Sequence, residues 1–500
     1  MKRFALFSAL AALIGAVVLS CSGSDDLIVK TTGGLVQGII EDGVEAYYGI
    51  PYAKAERFMP PQPVVKWDTV KVCDYWGPVC MQSSAPSEHN TPMTEDCCVL
   101  NVWTSGRDAK KPVLLWVHGG GFTSGTSAWN PGMGIAAKDV VFVSIHHRIN
   151  ILGFLDLSAC GEKYKYSGNV SMLDVIASLE WVRDNIEAFG GDPSNVTVIG
   201  QSGGGAKVGT LLCMPKAKDL FQKAILMSGA FKSTNTAEVS SRLGLAVLEE
   251  LGISPDEVEK INDVPYAELA AAGNRAIRKV GGAFAPTLDG DAVVQLPYDP
   301  DFSSFSADKP LIIGSTFNDL QKSYYDQEMT LDEAKEMLRP RLGDDVDRYV
   351  EAFAKAWPEF VPQDLLSIDQ SVRGNIINTM DALAESWNAP VYNYMFKWKS
   401  EVTHMAEHGV DVNFTFNVPW LEKKSIPNPR PEDLAMADAM SQAWVNFAYT
   451  GDPNVEGQPE WHPYTVENGE CYIFDLDFYT KNNFDRGIYE ILADHKMLRR

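Results

Sequence analysis

Short apolar runs alternate with helix-forming segments along most of the chain. Residues 171–189 show helical periodicity between two such runs, and similar stretches separate several others. The runs are rich in β-branched residues, and they read "PVLLWVHG", "VVFVSIHHR", "NVTVIG", "KAILMSG", "PLIIGST", "VYNYMFKW" and "CYIFDL". Continuous apolar strands that alternate with helices are typical of the α/β class. The pattern therefore predicts a mostly parallel central sheet with helices on both faces.

Two longer helical segments, at about residues 233–280 and 320–385, interrupt this alternation. The segment at 233–280 is charged and lies between two predicted strands, and the segment at 320–385 resembles it. We expect both to insert above the sheet without extending it. Length alone would suggest about three domains, but large α/β domains often exceed that rule. Because no Gly/Ser-rich or Pro-rich linker divides the chain, we predict a single domain over residues 34–500.

The N-terminus has the features of an export signal. Lys2 and Arg3 precede an apolar run at residues 4–19, which ends in "VLSCSGSDD". The junction resembles a bacterial lipoprotein signal, so we predict that residues 1–20 are removed, that Cys21 is lipidated and that residues 21–33 form a tether. A plain secretory signal is the alternative. The run is short for an uncleaved membrane span. The predicted location is the bacterial cell envelope, facing the periplasm or the cell surface.

The net charge and the cysteine content of the chain limit which partners and ligands are expected. The formal charge of −23 becomes two units more negative when Lys2 and Arg3 are removed, which argues against nucleic acid as a partner. Contact with a membrane is expected only through the lipid at Cys21. Export permits disulfides among the eight cysteines, and their spacing matches no zinc motif.

The stretch "VTVIGQSGGGAK" suggests two kinds of site. A phosphate-binding loop would need Gly-Lys-Ser/Thr after four intervening residues, but Lys207 comes one place late and no hydroxyl residue follows it. The alternative is Gly-x-Ser-x-Gly around Ser202, between an apolar strand and a helix. Small flanking residues allow a sharp strand-to-helix turn that exposes the serine hydroxyl. We therefore take Ser202 as a candidate nucleophile.

A serine nucleophile needs a base and an acid, which in this arrangement follow it in the order acid and then histidine. Asp319, just past the strand "PLIIGST", is the candidate acid, and its alternative role is a helix N-terminal residue. His408, in a loop and followed by glycine, is the candidate base. The segment "HMAEH", from His404 to His408, also matches a zinc motif, but a sustained helix is not expected there. We predict no metal site.

The glycines of "WVHGGGF" follow another predicted strand. Acyl transfer needs donors for the negative oxygen that develops in the transition state, and backbone N–H groups at such a strand end can supply them. A tight turn is the alternative interpretation of these glycines.

These motifs, together with several others, resemble the type-B carboxylesterases, the cholinesterase-like family of α/β-hydrolases. The resemblance runs from about Gly34 to Tyr464, in the family's order. The other motifs that carry it are "YYGIPYA", "WGPVCMQ", "EDCCVLNVW", "HHRINILGFL", "NVSMLDVIASLEWVRDNIEAFGGDPSNVTVIGQSGG", "PTLDGD", "HGVDVNFTF" and "WVNFAYTGDPN".

The resemblance implies an α/β-hydrolase that cleaves small carboxylic esters through an acyl-serine intermediate and needs no cofactor. It also implies roles for particular residues. These are the nucleophile Ser202, the acid Asp319, the base His408, an oxyanion hole of Gly120, Gly121 and Gly203, a supporting Ser228, a Cys80–Cys97 disulfide and an Arg57–Glu95 ion pair.

Four positions depart from the family pattern. Gln201 replaces a glutamate, Gly203 an alanine, Asp319 a glutamate and Cys98 an apolar residue. The interval between Cys80 and Cys97 is too short for the loop that carries the choline-binding tryptophan of cholinesterases. Cholinesterase activity is therefore not expected.

Other functions fit the same pattern less well. Within enzymes the rivals are a lipase or an amide-cleaving relative. Outside enzymes the rival is a catalytically silent binding protein, since a fold does not by itself give a function. Capture of polymer fragments, with hydrolysis secondary, is a third hypothesis. The complete set of Ser202, Asp319 and His408 favours the esterase.

Overall fold

A computed structural model describes residues 27–83, 91–321, 326 and 328–495. The predicted signal segment and Cys21 lie outside the described residues. No helix in the described part of the chain is long and apolar enough to cross a membrane.

The strands and helices follow one another in the alternation that the sequence predicts. In the described ranges the strands are Ile28–Lys30 (β1), Leu35–Gln37 (β2), Ile39–Glu41 (β3), Val44–Pro51 (β4), Lys71–Val72 (β5), Val79–Cys80 (β6), Met93–Thr94 (β7), Val99–Thr104 (β8), Lys111–Val117 (β9), Val141–Ile145 (β10), Gly191–Gln201 (β11), Lys223–Met227 (β12), Asn235–Thr236 (β13), Thr287–Leu288 (β14), Leu311–Thr316 (β15), Val391–Phe396 (β16), Glu470–Phe474 (β17) and Tyr479–Asn482 (β18). The α-helices are Met133–Ala136 (α1), Asn150–Phe154 (α2), Val170–Asn185 (α3), Gly203–Leu211 (α4), Ala237–Leu251 (α5), Tyr266–Val280 (α6), Leu331–Leu342 (α7), Val346–Ala356 (α8), Asp364–Ser367 (α9), Arg373–Ser386 (α10), Val410–Thr415 (α11), Pro431–Thr450 (α12) and Arg486–Asp494 (α13).

Eleven strands of the described chain form one sheet, in the order β18-β17-β16-β15-β12-β11-β9-β10-β8-β4-β3. The pairs from β17 through β10 are parallel, and the pairs at both edges are antiparallel. Strand β11 lies near the centre, where Ile199 pairs with Trp116 on one side and with Ile225 on the other. The predicted mostly parallel sheet is confirmed, and this is the α/β-hydrolase fold.

The sheet is apolar on both faces because helices cover both. In β9, Val113 and Leu115 pack into one buried cluster, whereas Leu114 and Trp116 pack into the other. Alternate side chains of a strand point to opposite faces, so one continuous apolar run serves both layers. The helix predicted over residues 171–189 is α3, which continues as a short 3₁₀ turn at Ile186–Phe189.

The segments predicted as insertions are helical and add no described strand to the main sheet. Residues 233–280 contain α5 and α6, and β13 beside them pairs only with β14 in a small separate sheet. The described residues of 320–385 contain α7 to α10.

A disulfide and an ion pair hold the N-terminal loops. Cys80 and Cys97 are bonded, with their Cα atoms 5.0 Å apart, which confirms the predicted pair. The Arg57 guanidinium donates to both carboxylate oxygens of Glu95 at 2.5 Å, and also to the carbonyl of Val264 at 2.6 Å. Cys98 is buried and not disulfide-bonded.

Candidate active site

Ser202 stands at a sharp turn between β11 and α4. Its backbone has φ 58° and ψ −126°, a conformation that is costly for a residue with a side chain and that persists only when its surroundings enforce it. The turn requires glycine on both sides. A Cβ atom on Gly200 would lie 2.5 Å from the backbone of Gly204, and one on Gly204 would lie 2.0 Å from the carbonyl of Val117. The Ser202 N–H donates to the carbonyl of Met227 in the neighbouring strand β12 at 2.8 Å.

The glycine loop after β9 lies against this turn. A Cβ atom on Gly203 would lie 2.0 Å from the carbonyl oxygen of Gly121, so the two backbones touch. The Gly120 carbonyl accepts hydrogen bonds from the N–H and the hydroxyl of Ser124, both at 3.1 Å. Since the C=O and N–H of one peptide point in opposite directions, this bond turns the Gly121 N–H away from Ser124. The loop can thus present N–H groups beside Ser202.

Asp319 and His408 are brought together by their loops. The Asn318 N–H donates to the carbonyl of Ala406 at 3.1 Å, and the Ala406 N–H donates to the Asn318 side chain at 2.8 Å. These bonds join the segment after β15 to the loop that follows β16. His408 Nδ1 is hydrogen-bonded to the Asp319 carboxylate, which is fully buried, while a quarter of the His408 side chain is exposed. The aspartate therefore reaches the histidine despite being shorter than glutamate.

The segment "HMAEH" is not helical in the structure. Glu407 pairs with the Lys424 ammonium at 2.7 Å and accepts a hydrogen bond from the Ser425 hydroxyl at 2.7 Å. Its carboxylate thus has partners of its own, and a zinc-binding helical face does not form. No group of three metal-ligating side chains occurs among the residues that the structure describes.

Two further buried carboxyl groups, Asp369 and Asp411, lie near Asp319. Burial, followed by the charge of Asp319, raises the pKa of each to about 7. Backbone N–H groups at the start of α10 donate to Asp369, and the Tyr394 hydroxyl donates to Asp411 at 3.0 Å. Burial lowers the pKa of His408, but the hydrogen bond to Asp319 and the three carboxylate charges outweigh it and raise the net value. The imidazolium form is therefore stabilised.

Gln201 contacts the ring nitrogen of His408 that does not face Asp319. Its side-chain Nε2 lies 3.3 Å from His408 Nε2, within reach of an N–H donor. Because Nδ1 faces Asp319, Nε2 is the atom that would accept a proton from Ser202. In the described structure Ser202 Oγ makes no hydrogen bond to His408, and the amide of Gln201 occupies that position instead. Hydrogen bonds of this kind are often long before substrate binds.

Ser228 directly follows β12, the strand that binds the Ser202 N–H. It is fully buried, with a φ of 48°, and its N–H donates to the carbonyl of Gly314 at 2.7 Å. Its Oγ makes no hydrogen bond within the described part of the chain. Ser228 is joined to the turn at Ser202 through the carbonyl of Met227, which accepts the hydrogen bond from the Ser202 N–H.

Known proteins identify the family of the chain. A sequence model of the protein family described as "Carboxylesterase family" matches residues 25–490. The chain belongs to the carboxylesterase family. It is a carboxylic ester hydrolase, like the para-nitrobenzyl esterase of Bacillus subtilis (strain 168), to which it is 34% identical over 482 residues, covering 91% of this chain and 96% of that protein.

Solved carboxylesterase structures share the whole fold. An esterase from Clostridium hathewayi that can hydrolyze aliphatic aromatic polyesters superposes with a TM-score of 0.85 at 34% identity, over 94% of this chain and 98% of that one. A Geobacillus stearothermophilus carboxylesterase superposes with a TM-score of 0.75 at 32% identity, over 92% of this chain and 99% of that one.

The carboxylesterase motifs are visible in the sequence, but several contacts among the residues of the site are visible only in the structure. Gln201 stood out only as a departure from the family, and its contact with His408 became visible in the structure. Asn318, which joins the two loops, gave no signal. Asp411 belongs to the motif "HGVDVNFTF", but nothing in the sequence marked its charge as one that acts on His408.

Gln201→Glu tests the electrostatics at His408 Nε2. A carboxylate in contact with the imidazole would favour its protonated form and raise the pKa of His408 further. Since only neutral imidazole can act as the base, the acidic limb of the kcat/KM profile should move to higher pH by about one unit. The measurement is the pH dependence of kcat/KM for 4-nitrophenyl acetate.

Gln201→Leu is the matched control, because it removes the amide without adding charge. Its acidic limb should lie close to that of the unaltered protein. An unshifted limb in Gln201→Glu would show that position 201 does not control the basicity of His408.

Proposed function

We propose that Ser202 is the nucleophile of this carboxylesterase, with His408 as its base and Asp319 as the acid that orients the base. The Ser202 oxygen forms a bond to the ester carbonyl carbon while its proton passes to His408 Nε2. The carbonyl oxygen becomes an oxyanion, which the N–H groups of Gly120, Gly121 and Gly203 would receive. His408 then returns the proton to the leaving alcohol as the C–O bond breaks.

The second half of the reaction uses the same groups. Water attacks the acyl-serine, His408 takes a proton from it, and the carboxylic acid leaves as Ser202 regains its proton. The observation that supports this assignment is the hydrogen bond between His408 Nδ1 and the buried Asp319, which leaves Nε2 to act as the base, 3.3 Å from the side chain of Gln201, the residue before Ser202. Ser228 supports the turn at Ser202 through the backbone that it shares with Met227.

The substrate that we propose is an uncharged ester of a small alcohol. Gln201 stands where the family commonly has a glutamate, so one carboxylate that could attract a cationic alcohol is absent beside His408. The relatives named above act on nitrobenzyl esters and on aliphatic aromatic polyesters, neither of which requires a cation in the alcohol.

We expect a soluble version that begins after Cys21 to hydrolyse nitrophenyl esters from acetate to laurate, and Ser202→Ala to lose at least about a thousandfold in kcat. We also expect a higher kcat/KM for 3,3-dimethylbutyl acetate than for acetylcholine, since the two differ mainly in charge. Equal activity of Ser202→Ala would contradict the assignment, and a preference for acetylcholine would contradict the substrate class. Activity that depends on a lipid interface would favour a lipase.

We propose further that the protein is anchored in the bacterial cell envelope by lipid at Cys21, with residues 21–33 as the tether. In a bacterial host fed an alkyne analogue of palmitate, the full chain should carry label and fractionate with membranes. Cys21→Ser should lose the label, and Cys160→Ser, the matched control, should keep it. Unlabelled protein in the soluble fraction would indicate a plain secretory signal instead.

A further inference from the structure

Lys207 is fully buried on α4, the helix that begins just after Ser202. Its Nζ atom donates to the carbonyl of Gly121 at 3.0 Å and to that of His118 at 3.4 Å. The same atom lies 5.5 Å from the centre of the Phe122 ring. All three neighbours belong to the glycine loop "HGGGF". The side chain therefore reaches back beneath the loop that faces the nucleophile turn.

A buried lysine is costly unless a carboxylate pairs with it. Among the described residues no carboxylate forms a salt bridge with Lys207, and burial lowers its pKa to about 7. The titratable groups that face it are His118, from the end of β9, and His147, from the end of β10, whose rings stack 4.7 Å apart. Burial, followed by the charge of Lys207, holds the pKa of both well below the ordinary value. Asp174, on the adjacent helix α3, is paired with Arg148.

The Gly121 carbonyl is held between two groups. On one side it touches the backbone of Gly203, since a Cβ atom on Gly203 would lie only 2.0 Å from this carbonyl oxygen. On the other side it accepts a hydrogen bond from the Lys207 ammonium. The two preceding carbonyl groups are also hydrogen-bonded. The Gly119 carbonyl lies 2.9 Å from Nδ1 of His118, and the Gly120 carbonyl accepts a hydrogen bond from the Ser124 hydroxyl. Each bond fixes a peptide plane and, with it, the direction of the next N–H group. Lys207 holds the first and the last of these peptides, which carry the N–H groups of Gly119 and Phe122. The two peptides between them, which carry the Gly120 and Gly121 N–H groups, are held by His118 and Ser124.

We propose that Lys207 is a positioning residue of the oxyanion hole. By holding the carbonyl groups of His118 and Gly121 from beneath, it fixes the peptides on either side of those that carry the Gly120 and Gly121 donors, so that these donors face the reacting carbonyl. The inference rests on the proposed function, because it assigns Gly120 and Gly121 to the oxyanion. In its ammonium form Lys207 also places a positive charge below the loop, where negative charge develops in the transition state. Donors that are fixed before the reaction cost no reorganisation during it.

Lys207→Met keeps an apolar chain of similar length but removes the donor and the charge. Loss of one oxyanion donor typically lowers kcat by about 10²–10³. Because Lys207 acts through the loop, we expect a smaller fall in kcat of roughly 10- to 100-fold, with KM changed less than about threefold. The ammonium form is lost as pH rises through the pKa of Lys207, so kcat of the unaltered protein should fall on the alkaline side. Lys207→Met should lose that alkaline limb.

Lys309 offers a control at the opposite end of the parallel strands, just before β15. It is also buried, its Nζ donates to the carbonyls of Lys218 and Phe221 at 2.7 and 2.8 Å, and the Phe221 ring centre lies 5.0 Å away. Burial lowers its pKa as well, although, unlike Lys207, it lies 4.0 Å from a carboxylate, that of its exposed neighbour Asp308. Lys309→Met should destabilise the fold comparably while leaving kcat within about threefold and the pH profile unchanged.

The outcomes are separable. If Ser202→Ala is inactive but Lys207→Met keeps the kcat and alkaline limb of the unaltered protein, the role of Lys207 is refuted and the proposed function stands. An equal fall in kcat in Lys309→Met would also refute it. If Lys207→Met fails to fold, the pH dependence of kcat is measured on the unaltered protein instead. A kcat that stays constant from about pH 7 to 9.5 would refute the contribution of the Lys207 ammonium. If Ser202→Ala stays active, the proposed function itself fails.

Discussion

The site depends on close backbone packing at the turn from β11 into α4. The positive φ of Ser202 is possible because Gly200, Gly203 and Gly204 have no Cβ atoms, and two of these glycines touch the backbone that follows β9. A side chain at either position would push the nucleophile turn away from the glycine loop. The central parallel strands hold β9, β11 and β12 in register, so the sheet provides the rigid base on which this strained turn is maintained.

A second constraint places the proposed acid and the proposed base. Asp319 and His408 are far apart in the chain, yet Asn318 bonds to Ala406 through both its backbone and its side chain. Hydrogen bonds between the two loops thereby compensate for the shorter side chain of aspartate. When ionised, the neighbouring buried carboxyl groups of Asp369 and Asp411 add negative charge around His408 and stabilise its protonated form. The electrostatics of the base therefore come from the surrounding fold as well as from its partner.

Much of this was predictable from sequence because the relevant signals are local. Three short patterns each indicate a function without reference to the rest of the chain. They are a glycine-flanked serine between a strand and a helix, glycines after a strand, and an aspartate just past a strand end. Contacts that depend on three-dimensional packing gave no such signal. Lys207 sits in a short helix whose side chains are all buried, and a lysine there is ordinarily taken for a solvated charge. The amide of Gln201 could likewise point in several directions until the loop of His408 was in place.

The central claim is that Ser202 forms the covalent intermediate, and chemical trapping tests it directly. The protein would be treated with diethyl 4-nitrophenyl phosphate, which phosphorylates an activated serine and releases nitrophenolate, and its peptides analysed by mass spectrometry. We predict one diethylphosphoryl group per chain, on Ser202, with loss of esterase activity in proportion to the modification. Loss of activity while Ser202 remains unmodified, or full activity after Ser202 is modified, would contradict the account.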